Sequence, residues 1–232
     1  IADDFVLIGE MLFGDYNGLV NDEMLYSCTN YECYKGVHSS LNENNLFEIA
    51  HSLNRQFGKE NWSLYRGKHL LNFVDNHDVS RIASILKEKR NINSAYALMF
   101  SMPGVPCIYY GSEWGIEGDK ASGDNALRPC FDVPVENEMT DFVRKLAQIK
   151  KTSKALCYGD FENVQIQNKA LAFKRCFEGE NIFVCINIAP EPVNLDIKTN
   201  GNFVNLLTEE TVEIDGGVEI KPFGVMILRQ NV

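Results

Sequence analysis

The chain has 232 residues, 45% of them hydrophobic and 23% charged, which is ordinary for globular protein and enough for one large domain or two modest ones. A formal net charge of −10 without any Lys/Arg-rich stripe argues against a nucleic-acid partner. No apolar run nears the roughly 20 residues of a membrane span, so a membrane partner is not expected either.

Seven cysteines, an odd count with no C-x-x-C pair, make metal ligation a weak reading. Cys176 and Cys185 flank a hairpin turn at Glu178–Asn181, where they fall diagonally rather than opposite, so no bridge is expected. Free thiols in a reducing compartment fit better, which leans towards the cytoplasm. Ile1 is an odd natural start, and material upstream is expected.

In chain order, Phe5–Ile8 and Met24–Cys28 read as short strands. Over Asn45–Phe57, Leu46, Ile49, Leu53 and Phe57 share one helix face, and Gly58 stops the helix. Leu70–Val74 is a third strand, Asn91–Ser101 a helix with Tyr96, Met99 and Phe100 as core, and Val105–Tyr110 a fourth strand. Thr140–Ser153 is a helix with Phe142, Leu146 and Ile149 on one side. Strands separated by helices predict parallel βαβ units. Beyond Tyr158 the pattern changes to short β-branched and aromatic runs at 164–167, 170–177, 182–188, 193–197, 203–207 and 225–228. Turn residues divide them, the signature of a small antiparallel sandwich. The boundary is placed between residues 1–156 and 157–232.

Three polar clusters sit where apolar strands end: Gly9-Glu10, Asp75-Asn76-His77-Asp78, and Gly111-Ser112-Glu113 after Gly104-Val105-Pro106. In a (β/α)8 barrel the strand C-termini converge on the face that does the chemistry. Each acid alone is weak evidence, since acids also cap helices after strands. Together these segments resemble consecutive conserved regions of the α-amylase superfamily, glycoside hydrolase family thirteen. Phe73-x-x-Asn76-His77-Asp78 matches the F-x-x-N-H-D region, and Gly104-x-Pro106 with Gly111-x-Glu113 matches the last-strand region. Asn125–Phe131 is similar to the Arg-Pro loop, and Ala155–Phe161 to the junction into the C-terminal domain.

The resemblance implies α/β plus all-β architecture: the second half of a TIM barrel, four β/α units, followed by an antiparallel β-sandwich. It implies a retaining glycoside hydrolase acting on α-1,4-glucosidic bonds of starch or maltodextrin, with transglycosylation open to the same machinery. Glu10 takes the general acid/base position, whose carboxyl must be protonated to serve the leaving oxygen, and Met11, Leu12 and Phe13 are candidates for its apolar cover. Asp78 takes the place of the second carboxylate, which holds sugar hydroxyls and stabilises the cationic transition state. His77 takes that of the imidazole at the cleavage subsite, while Asn76 braces the strand end. Arg81, Trp114 and Arg128 are further substrate-binding candidates. Arg81 could instead pair with an acid, Trp114 fill a local core, and Glu113 simply hold its loop. Family members often bind Ca²⁺, with ligands lying mainly upstream; Asp119, Asp124 and Asn125 offer loop oxygens, though solvated loop polarity explains them as well.

The family's nucleophile is an Asp following G-x-R, and no G-x-R-x-D run occurs. The expectation is a fragment, inactive alone, whose partners are the N-terminal half of the barrel or a second copy of itself, besides the α-glucan substrate. Half a barrel would leave open strand edges. The rival reading is a non-catalytic carbohydrate-binding or interaction protein on the same scaffold.

Overall fold

The computed structural model describes residues 5–231; Ile1, noted above as an unusual start, lies outside them. The first part alternates short strands and helices: β1 (Ile8–Gly9), β2 (Ser27–Cys28), α1 (Tyr31–Asn42), α2 (Phe47–Phe57), β3 (Leu71–Asn72), α3 (Ile82–Ile85), α4 (Ile92–Ser101), β4 (Val105–Pro106), α5 (Asp124–Leu127), α6 (Glu138–Thr152) and α7 (Lys154–Tyr158). β1 pairs parallel with β2, and β3 pairs parallel with β4. A parallel bridge from Thr29 to Leu71 connects the two pairs, giving the lateral order β1-β2-β3-β4. β3 is shorter than its apolar run, of which Leu70, Phe73 and Val74 are buried outside the ladder.

The helices form for identifiable reasons. The Asn30 side chain accepts from the Cys33 N–H and opens α1. Asn137 and Thr140 make a reciprocal capping box at α6. Leu46, Ile49, Leu53 and Phe57 are all buried, the face anticipated for α2, and Gly58 ends it. Tyr96, Met99 and Phe100 are buried on α4; on α6 Val143 joins Leu146 and Ile149 in the core, with Phe142 only partly covered. α1 itself was not anticipated.

Gly104, the first residue of the G-x-P motif, has φ +112°, and a Cβ there would lie 2.4 Å from the Leu70 carbonyl oxygen and 2.7 Å from Asn72 Nδ2. Both atoms belong to the seam between β3 and β4. Gly104→Ala is therefore expected to destabilise the fold by about 2 kcal/mol or more, read as a lower urea midpoint; an unchanged midpoint would show that the seam can give way.

The C-terminal part contains β5 (Asp160–Ile166), β6 (Ala170–Phe177), β7 (Glu180–Asn187), β8 (Val193–Leu195), β9 (Gly201–Asn205), β10 (Thr211–Ile214), β11 (Val218–Ile220) and β12 (Val225–Gln230). Six of them form an antiparallel sheet in the order β10-β9-β12-β7-β6-β5, and β11 pairs with β8. β10 and β11 were not anticipated. The period-two alternation divides the sheet's residues between two cores. Leu171, Phe173, Ile182, Val184, Ile186 and Ile227 face the helices. Ala170, Ala172, Phe183, Cys185 and Leu228 face the small β8-β11 layer.

Glu178 (φ 46°) and Gly179 (φ 90°) make the tight turn between β6 and β7. In that register Cys176 pairs with Asn181, and Cys185 with Ala172. All seven cysteines are free. The change of character expected between residues 156 and 157 falls inside α7, which delivers the chain directly into β5. Among the described residues no helix is long and apolar enough to cross a membrane.

Candidate active site

Glu10 directly follows β1, Asp75–Asp78 follow β3, and Ser112–Glu113 follow β4, so the strand ends carry acids on one rim. The side chains there are joined by a tyrosine not singled out from the sequence. Tyr31, at the start of α1, donates its hydroxyl to Glu10 Oε1 at 2.9 Å and accepts from Asn76 Nδ2 at 3.1 Å. Its ring packs edge-on to Phe73 at 4.9 Å, fixing its direction. Burial raises the Tyr31 phenol, so it stays a donor at neutral pH. Asn76 also accepts from the Asp78 N–H at 2.8 Å, and so braces the strand end as expected.

Glu10 itself is exposed. The apolar cover expected from its neighbours is absent: Leu12 is 50% and Phe13 84% exposed, and Met11 is only partly buried. Tyr31→Phe keeps the ring and removes the hydroxyl that links Glu10 and Asn76. A hydrogen bond to a charged group is worth about 1.5–3 kcal/mol, so activity that depends on Glu10 should fall about 10- to 100-fold. The measurement is kcat/KM, with thermal stability as the control for folding.

His77 Nε2 lies 3.4 Å from Asp78 Oδ2, and Arg128 Nη2 lies 3.1 Å from Asp78 Oδ1. Arg128 Nε also donates to the His77 carbonyl at 3.3 Å. All three side chains are about half exposed, so they form an accessible cluster, Asp78 held between an imidazole and a guanidinium. Trp114 packs edge-on to Phe131 at 5.0 Å and lines an open groove with Tyr110 and Arg128.

Arg81 is placed differently from expectation. It is 0% exposed, so the sugar contact considered for it does not fit. Its guanidinium donates to the carbonyls of Tyr110 (2.8 Å) and Leu127 (2.7 Å) and to Ser112 Oγ (3.0 Å), and packs 4.0 Å from the Tyr109 ring centroid. Ser112 passes a hydrogen bond on to Asp75 Oδ1 at 2.7 Å, while Asp75 Oδ2 caps the Ile82 N–H at 2.9 Å. Burial raises the Asp75 carboxyl despite these donors and the nearby Arg81 charge. Asp75, read from the sequence only as part of a motif, thus underpins the Asn76–Asp78 turn. Glu113 has a buried Oε2 without a hydrogen-bond partner, and its carbonyl accepts from Thr140 Oγ1, so it ties the last loop to α6.

Of the loop oxygens weighed as cation ligands, those of Asp119 and Asp124 have partners within the chain. Asp119 Oδ1 accepts from the Ala121 N–H at 2.9 Å and from Ser80 Oγ at 3.2 Å, and Asp124 lies 3.9 Å from Arg128. No group of three or more His, Cys, Asp or Glu able to hold a metal ion occurs among the described residues.

Comparison with known proteins identifies the family. The family model of the alpha amylase catalytic domain matches residues 2–162, and that of the maltogenic amylase C-terminal domain matches residues 161–227. A cyclomaltodextrin glucanotransferase of Bacillus sp. (strain 38-2) is 29% identical over 136 residues, 59% of this chain and 18% of that protein. Alpha-amylase 2 of Dictyoglomus thermophilum is 29% identical over 147 residues, 60% of this chain and 25% of that protein. The crystal structure of the Geobacillus thermoleovorans alpha-amylase complexed with acarbose superposes with a TM-score of 0.82 at 21% identity, covering 98% of this chain and 54% of that one, a likeness of fold. The chain thus matches a quarter or less of these curated relatives and about half of that solved structure. With a catalytic-domain match over most of its length and acids at successive strand ends, the chain belongs to the α-amylase family of glycoside hydrolases.

Proposed function

We propose that the chain forms the acid/base side of a retaining α-glucosidase active site, acting on α-1,4-linked glucans of the maltodextrin type. The observation that carries this is the hydrogen-bonded line from Glu10 through Tyr31 to Asn76, which sets the β1 acid beside the Asp78–His77–Arg128 cluster on one rim. In this reading Glu10 gives a proton to the leaving glycosidic oxygen and later takes one from water. Asp78 binds sugar hydroxyls and offsets the positive charge of the oxocarbenium-like transition state, while His77 and Arg128 hold it in place.

Retention requires a second carboxylate about 5–5.5 Å from the acid, on the opposite side of the sugar. We assign that nucleophile to a polypeptide segment outside these residues: the N-terminal half of a (β/α)8 barrel, of which β1 to β4 are the second half, or a second copy of the chain. The apolar run leading into β1 supports the assignment, since Phe5, Val6, Leu7 and Ile8 are 49–61% exposed although they read as core strand. A single strand edge of this kind calls for a neighbour.

The stereochemistry of the first product tests the mechanism. With the upstream half supplied, proton NMR of freshly cleaved maltooligosaccharide should show the α-anomer before mutarotation. A β-anomer first would mean inversion and sink the double-displacement reading.

A further inference from the structure

A cluster of basic residues lies at the other ends of the strands. The loops entering β3 and β4, the end of α7 and the starts of β5 and β6 line a cavity of about 190 Å³. Arg66, Lys68, His69 and Arg175 contribute to its wall, against one acid, Asp160. That acid is half exposed and engaged with Arg66 at 3.1 Å.

Arg175, on β6, is 1% exposed. It donates to the Ser101 carbonyl at 2.7 Å and the Gly159 carbonyl at 2.8 Å, and its buried Nε has no acceptor. Behind it Lys150, on α6 and 8% exposed, donates to the Leu156 carbonyl at 2.8 Å and the Met102 carbonyl at 3.3 Å. These carbonyls cap helix ends but carry no formal charge. Arg175 thus lies close enough to disfavour the charged form of Lys150, and among the described residues both cations donate to carbonyls and not to a carboxylate. The cost is visible in their protonation: burial and Arg175 push the Lys150 ammonium down to about 7, and burial pushes Arg175 down to about 10. His69 is lowered by burial and then by both cations. Buried charges are ordinarily paired, and in a chain of net charge −10 this cluster is an exception that a general surface field does not explain.

We propose that this cavity is a binding site for a small oxyanion of the phosphate type, with Arg175 at its floor and Arg66, Lys68 and His69 at its mouth. Guanidinium groups match the oxygens of such an anion bidentately, and a concave cationic site focuses its field on it. The volume is below the roughly 300–1,000 Å³ of pockets that take drug-sized ligands, which selects a compact ion over a nucleotide. Because the cavity lies between the loops entering β3 and β4 and the start of the six-stranded sheet, the anion would clamp the two parts of the chain together.

The test is a titration of the purified protein with inorganic phosphate, against sodium chloride at matched ionic strength, by phosphorus NMR and thermal melting. Saturable binding is expected, with a melting temperature raised in phosphate relative to chloride. Binding should also take up protons near neutral pH, because the anion favours the charged forms of Lys150 and His69; calorimetry in buffers of different ionisation enthalpy reads this. The double variant Arg66→Gln/Lys68→Gln, which removes the exposed Arg66 and the half-buried Lys68 (whose ammonium also donates to the Val20 carbonyl) and leaves Arg175 and Lys150 in place, should weaken phosphate by about ten-fold or more. Equal melting in phosphate and chloride, or undiminished phosphate affinity in the double variant, would overturn the site and leave Arg175 and Lys150 as helix caps only. Neither result depends on glycosidase activity, so the two readings fail separately.

Discussion

Glu10→Gln is expected to lower hydrolysis of a chromogenic maltooligosaccharide by about 10²- to 10⁴-fold, the range that positioned acid–base groups contribute, measured on the chain combined with the N-terminal barrel half proposed above. Glutamine keeps the size of the side chain and the acceptor for the Tyr31 hydroxyl, so the line to Asn76 survives. What it loses is the exchangeable proton that the leaving oxygen needs. The loss should therefore fall mainly on kcat, with KM nearly unchanged. A substrate with a leaving group acidic enough to depart unaided should recover part of the first step. If Glu10→Gln left turnover intact, the acid would have to be elsewhere, and the line from β1 to β3 would be structural.

The second large effect is on stability. Arg81→Met removes a fully buried cation whose guanidinium serves two carbonyls and Ser112, and through Ser112 the buried Asp75. Taking one member from a buried charge network typically costs about 3–5 kcal/mol, and methionine returns some of the packing volume. Ser112→Ala should cost less, about 1.5–3 kcal/mol for one hydrogen bond to a charged group. The two changes should be non-additive because they share Asp75.

The pH dependence carries a definite sign. Asp75 has a folded-state pKa raised above its unfolded value, so the native state holds that proton more tightly. Stability from this group is present at low pH and declines as pH rises through the folded value. Removing Arg81 takes away a positive charge that opposes the rise, so the variant's deficit should be larger near pH 7 than near about pH 4. Urea unfolding at both pH values measures it. A deficit independent of pH would assign the loss to packing rather than to the Asp75 charge.

These residues also mark where the sequence was readable and where it was not. The strand-end acids and the α2 face were legible because their spacing is local: one polar cluster after each apolar run, one apolar stripe with a period near 3.6. α1 was missed because its buried positions include Cys33, Gly36 and Ser40, which interrupt an apolar stripe. Tyr31 was lost with it, since only the placement of that helix brings its hydroxyl to Glu10. β10 and β11 did carry a signal: Glu213 and Glu219 point out while Ile214, Val218 and Ile220 are buried. Their charged residues and short length masked it. For Arg81 the sequence left a sugar contact and a pairing with an acid both open, because an arginine's burial depends on carbonyls 29 and 46 residues away in sequence.

In the proposed reading Glu10 and Asp78 act with a nucleophile supplied from outside these residues. That reading is tested most directly by assaying maltooligosaccharide hydrolysis by the purified chain alone, and again after adding the N-terminal half of the barrel. No turnover alone, with Glu10-dependent turnover on addition, is the predicted result. Turnover by the monomeric chain alone that disappears in Glu10→Gln would place the nucleophile within it and contradict the divided site.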